Sequence, residues 1–102
     1  MISCDIVIIG KGPAGVSAAL YTLRSGLKTL LVAHASGELE RAEVIENYYG
    51  HPSISGPELL ETGVAQVNRL GGKILEQEVT GLEQTVGGYM LYTPQEQIAA
   101  KA

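Results

Sequence analysis

Four apolar residues, Ile6 to Ile9, run without a break and stop at Gly10. All four favour a pleated, buried strand. An unbroken apolar run of this kind implies cover on both faces, as in a parallel sheet. Met1 to Gly10 therefore reads as the first strand. Behind it, Val16, Ala19, Leu20 and Leu23 recur at helical spacing, which predicts a helix from Pro13 to about Ser25. Gly26 follows as its expected C′ residue. Leu27 to Ala33 reads as a second buried strand. Strand, helix and strand within about 30 residues make one βαβ unit, with a right-handed crossover expected.

The pattern loosens from His34 to Ile54. Ser36-Gly37 predicts a turn, Leu39 to Ile45 a short helix or an extended loop, and Asn47 to Pro52 a loop. A loop of this length in a compact domain is usually functional or disordered, and this one follows the second strand at the edge where ligands gather. Ser55-Gly56-Pro57-Glu58 opens a second helix through a capping box. Its expected buried face is Leu60, Gly63, Val64, Val67 and Leu70, and Gly71-Gly72 stops it. Lys73 to Glu78 predicts a third strand. Val79 to Gln84 and Tyr89 to Thr93 predict a hairpin around Gly87-Gly88, ended by Pro94. Gln95 to Ala102 fits the start of a further strand.

The chemistry lies where the first strand meets the first helix. Gly10, Gly12 and Gly15 have the spacing G-x-G-x-x-G between a strand and a helix. Gly10 permits the tight turn, Gly12 lets a pyrophosphate approach bare backbone, and Gly15 lets helix and strand pack closely. Pro13 occupies the first turn, where a missing N–H costs little. The free N–H groups of that turn, with the helix dipole behind them, bind anionic oxygens. A glycine-rich turn without a ligand is the plainer alternative.

Composition narrows the classes. The chain has 102 residues, 45% of them hydrophobic, and a formal charge of −4. That is one domain or less. Without a basic stripe, nucleic acid is not an expected partner. A single cysteine, Cys4, precludes an internal disulfide and a Cys-x-x-Cys pair. It agrees with a reducing compartment, and a cytoplasmic location is expected. No segment approaches the roughly 18 apolar residues of a membrane span. Cys4 reads as a small packed thiol, and His34 and His51 as solvent-exposed loop histidines without metal spacing. The acids Glu38, Glu40, Glu43 and Glu46 read as a solvated surface. No residue is expected to act as a catalytic nucleophile or to bind metal.

Several stretches together resemble the N-terminal part of the FAD-binding domain of thioredoxin reductase-like flavoproteins, in the pyridine nucleotide-disulfide oxidoreductase superfamily. They are Asp5 to Gly15, Ala18-Ala19-Leu20-Tyr21 with Arg24, Ile45-Glu46-Asn47-Tyr48-Tyr49-Gly50, and Ile54 to Leu59. The glycine motif is shared by many FAD and NAD proteins; the Glu-Asn-Tyr-x-Gly and Ser-Gly-Pro-Glu-Leu pieces are narrower. The resemblance implies an α/β Rossmann-like FAD/NAD(P)-binding fold, with a parallel sheet and a small hairpin or meander. Residues 1–102 would be a single, partial FAD-binding domain.

By that resemblance FAD is the cofactor. Gly10, Gly12, Pro13, Ala14 and Gly15 hold its pyrophosphate side, Asn47 lies beside the ribityl chain or flavin, and the backbone of Val79 meets the adenine. Tyr48 and Tyr49 fit either a flavin wall or a loop anchor. The resemblance also implies electron transfer from NAD(P)H through FAD to a disulfide or similar acceptor. The NADPH domain with its Cys-x-x-Cys would lie outside these residues, in a fragment of a longer enzyme or absent from a short stand-alone form.

Three positions depart from the family. A ribose-binding acid often ends the second strand; here Ala33 and then His34 stand there, so the ribose contact falls to backbone, to His34 or to nothing. Glu38 replaces a glutamine and sets a negative charge near an anionic cofactor. Lys11 replaces a small residue in the glycine loop, where it either offsets pyrophosphate charge or faces solvent. These departures leave room for a non-catalytic nucleotide-binding or interaction module; NAD in place of FAD is argued against by the Asn47 and Ser55 motifs. An incomplete sheet would expose strand edges and apolar surface, so a homo-oligomer is expected.

Overall fold

The computed structural model describes residues 1–34 and 37–102, the side chains of residues 37 and 38 excepted. The expected Ser36-Gly37 turn therefore falls partly outside the described residues, and so does the side chain of Glu38.

The N-terminal apolar segment is two strands, not one. β1 is Ile2–Cys4 and β2 is Ile6–Ile9. Asp5 separates them: its carboxylate accepts the Lys28 N–H at 2.8 Å, which turns the chain between two sheets. β2 leads into α1, Pro13–Arg24. The chain continues through β3 (Thr29–Val32), a 3₁₀ turn at Gly37–Arg41 and α2 (Gly56–Arg69). β4 is Lys73–Leu75, β5 Gly81–Thr85, β6 Gly88–Tyr92 and β7 Gln97–Ala100.

One sheet is parallel, in the order β2-β3-β4, and the other runs β1-β7-β6-β5. Within the second, β5, β6 and β7 form an antiparallel meander, and β7 pairs parallel with β1. The C-terminal residues that fitted the start of a strand thus lie between two partners, with Ile98 fully buried.

β3 is buried at all four positions because both its faces are covered. Leu31 packs with Val16, Ala19 and Val67 of the helices. Leu30 and Val32 point the other way, toward Cys4, Leu91, Ile98 and Ala100. The layers are therefore helices, parallel sheet, meander. β2 does not match the expectation of full cover. It lies at the edge of its sheet, and its last residue, Ile9, is 58% exposed. The edge is partly paired: the Val7 N–H donates to the Ala102 carbonyl at 3.0 Å.

Two further expectations shift. β4 stops at Leu75 instead of reaching Glu78, because the Gln77 N–H turns back to the Leu75 carbonyl at 3.0 Å. The buried stripe of α2 is Gly56, Leu59, Gly63 and Val67, with Leu60 and Val64 only partly buried and Leu70 exposed beyond the last helical residue. The stripe turns because α2 also packs on the 3₁₀ turn. A Cβ at Gly56 would overlap the Leu39 carbonyl, and the Gly56 N–H donates to Ala42 at 2.7 Å. The Ser55 half of the capping box is made, its hydroxyl accepting from the Glu58 N–H at 3.2 Å.

Candidate nucleotide site

The glycine motif sits where its spacing places it. Gly10 leaves β2 at φ +117°, a conformation that suits glycine, while its N–H still donates to Val32 at 2.8 Å. Gly12 is the N-cap of α1 and Pro13 opens the first turn. Gly15 packs so tightly that a Cβ would overlap the Gly10 carbonyl oxygen. Gly12 differs: a Cβ there would meet no protein atom within 4 Å. The fold does not need the missing side chain at Gly12, so that space is open to a ligand.

The two helices start differently. Ser55 caps α2, and Glu58 places a negative charge in its first turn. α1 has no side-chain cap and no acid in its first turn. Its leading N–H groups have no partner within the helix. Bare backbone, a helix N-terminus and open space above Gly12 fit a diphosphate.

Lys11 is not solvent-facing. Its side chain is 13% exposed, and Nζ lies 3.3 Å from Glu76 Oε1 beyond β4. The pair ties the glycine loop to the segment leaving the third parallel strand.

Two cavities flank the loop. One, of about 190 Å³, lies at the C-terminal ends of the parallel strands and brings together Gly10, Ala33, His34 and Val79. Ile9, Val32, Gln77 and Glu78 complete it. The end of the second parallel strand carries no acid, as expected, and the carboxylate in this cavity, Glu78, comes from beyond β4, where sequence reasoning did not look. The missed signal was position: residues directly after a parallel strand reach the ligand edge of the sheet.

The other cavity, of about 270 Å³, has Lys11, Gly12 and Pro13 on one side and Tyr48, Tyr49 and His51 on another. Those last three belong to a loop closed by a bridge between Ile45 and Ile54, and pinched again between Tyr48 and His51. The rings of Tyr48 and His51 are 6.2 Å apart, and His51 is half-buried, not solvent-exposed as expected. Asn47 is exposed on this loop, in a separate depression that shares Tyr48, Tyr49 and His51 with the cavity. Ala14 is exposed in the first turn of α1. Among the described residues no cluster of three His, Cys, Asp or Glu could hold a metal ion.

A family profile described as glucose inhibited division protein A matches residues 5–87. The chain belongs to that family. The match spans the glycine loop, both helices and the first hairpin strand. Thioredoxin reductases are also similar to it, as the Asn47 and Ser55 motifs implied. The Aquifex aeolicus thioredoxin reductase is 40% identical over 92 residues, which cover 87% of this chain and 28% of that protein. A thioredoxin reductase structure from Gloeobacter violaceus superposes with a TM-score of 0.94 at 36% identity, covering 99% of this chain and 33% of that one. The Lactococcus lactis enzyme in its FR conformation gives 0.91 at 38% identity, covering 97% and 33%. The chain thus spans about a third or less of the relatives it matches. The fold is the expected α/β Rossmann-like one with a parallel sheet and a meander, and this family membership implies binding of FAD.

Proposed function

We infer that this chain, as part of one FAD-binding domain, holds FAD along the C-terminal edge of its parallel sheet. It would serve a thioredoxin reductase-like oxidoreductase that moves electrons from NAD(P)H through FAD to a disulfide or similar acceptor. The observation that carries the reading is the uncapped start of α1 beneath open space at Gly12. Bound FAD would supply the redox chemistry, while the protein supplies binding and orientation.

Each part of the site has a task. The first-turn N–H groups of Ala14 and Gly15 face the diphosphate, and Gly12 leaves it room. Gly10, Ala33, His34 and Val79 wall the adenosine end. The loop carrying Asn47, Tyr48 and Tyr49 borders the flavin end. Lys11, held by Glu76, keeps the glycine loop in place beside them. NAD(P)H and the acceptor disulfide would be handled by residues other than these. A non-catalytic module is not favoured, because the similar proteins are thioredoxin reductases.

The reading also includes self-association and a cytoplasmic location. β5 and β1 form the two edges of their sheet, and Leu82 on β5 and Met1 beside β1 are exposed. No helix among the described residues is long and apolar enough to cross a membrane. Light scattering at high protein concentration should show dimers or larger species; a monodisperse monomer would remove self-association from the account. The cofactor is tested by colour: purified protein should be yellow and release FAD on denaturation. Colourless protein that gains no thermal stability from added FAD would refute the reading.

A further inference from the structure

The adenosine end of the site lacks an acid where the second parallel strand ends. Ala33 stands there, buried at 5% exposure, and His34 follows. A carboxylate nevertheless reaches the same cavity from the next strand. Gln77 turns the chain at the end of β4, and the residues beyond it alternate. Val79 packs into the core between the two sheets, Gln77 is half-buried and its amide oxygen accepts from the Thr93 hydroxyl, and Glu76 and Glu78 face outward. Glu76 is engaged by Lys11. Glu78 lines the cavity with Gly10, Ala33, His34 and Val79, and has no hydrogen-bond or ion-pair partner among the described residues.

We propose that Glu78 is the ribose-recognition residue of this chain, its carboxylate accepting from the adenosine 2′- and 3′-hydroxyls. The proposal rests on the reading of the site as a dinucleotide cleft. The chemistry suits the position. A ribose diol offers two O–H donors side by side, and an ionised carboxylate is an acceptor with two oxygens. A charged acceptor strengthens each such bond. The ribose-binding acid ordinarily leaves the end of the second strand and reaches the ligand edge of the sheet. β4 is hydrogen-bonded to β3 in parallel register, Val32 opposite Leu75, so residues just past Leu75 emerge at the same edge as Ala33. Moving the acid one strand over therefore keeps it at the same end of the ligand. The arrangement also separates the two acids: Glu76 is paired with Lys11 of the glycine loop, and Glu78 is left toward the diol. His34 lines the same cavity and is the competing candidate.

The test displaces bound FAD from the 102-residue chain with ADP or 2′-deoxy-ADP, followed by FAD fluorescence. ADP is expected to compete about tenfold better than 2′-deoxy-ADP on the unmodified protein, the scale of one hydrogen bond to a charged group. In E78Q and E78A that preference should fall below about twofold, with ADP weakened and 2′-deoxy-ADP nearly unchanged. Circular dichroism confirms that both variants fold, as expected for an exposed side chain. Unaltered preference in the variants, equal loss of both competitors, or FAD that ADP cannot displace would each overturn the role of Glu78 while leaving the FAD site standing. Failure of the unmodified protein to bind FAD would overturn the site and Glu78 together.

Discussion

The α-carbon of Gly15 faces the carbonyl of Gly10 so closely that an added Cβ would lie 2.9 Å from the carbonyl carbon and nearer still to its oxygen. Both neighbours are backbone, so neither yields cheaply. Gly15→Ala would gain about 0.4–1 kcal/mol by restricting the unfolded chain. Overpacking costs about 1–3 kcal/mol and wins. The variant should unfold at lower denaturant concentration with an unchanged slope; a midpoint at or above that of the unmodified protein would contradict the packing.

Asp5 predicts an acid-sensitive joint between the sheets. Its pKa is lowered from 3.8, first by the Lys28 N–H and then by the Lys101 ammonium. A depressed folded pKa contributes stability that is present above the unfolded value and lost as pH falls through the folded one. The Asp5 contribution should therefore hold from neutral pH down to about 4 and fade below it. Asp5→Ala should lower Tm at pH 6 and lose less Tm between pH 4 and pH 2 than the unmodified chain. Parallel Tm curves for the two proteins would contradict this.

Asp5 also marks where the sequence was legible and where it was not. The glycine loop, the Val16–Ala19 face and the β3 run could be read because each depends on spacing within one element. The break at Asp5 could not, since it needs an N–H from Lys28 and a β7 strand beside β1. The turn of the α2 stripe toward Leu59 depended likewise on Leu39, distant in sequence, closing on Gly56. Asn47 was singled out by resemblance, and its loop does border the cavity beside Gly12. Glu78 was passed over because Lys73 to Glu78 was read as one strand; the Gln77 N–H turning back to the Leu75 carbonyl, which ends β4 early, leaves no signature in the spacing of residues.

Cys4 should be a sluggish thiol. It is 8% exposed, its Sγ lies 3.8 Å from the Ala99 carbonyl, and burial, as the largest cause, raises its pKa. Only the thiolate reacts readily. Labelling by a disulfide reagent at pH 8 should be slow in the folded chain and rapid in denaturant. Equal rates in both states would place Cys4 at an open surface.

The central claim is that bare backbone at Gly12 grips a diphosphate, and Gly12→Val tests it most directly. Gly12 has an ordinary φ of −74°, and a Cβ there meets no protein atom within 4 Å. The variant should therefore fold with a Tm close to that of the cofactor-free unmodified chain, yet lose its stabilisation by FAD. Thermal melts of both proteins, each with and without FAD, supply the measurement. A Gly12→Val chain stabilised by FAD as strongly as the unmodified one would contradict the account.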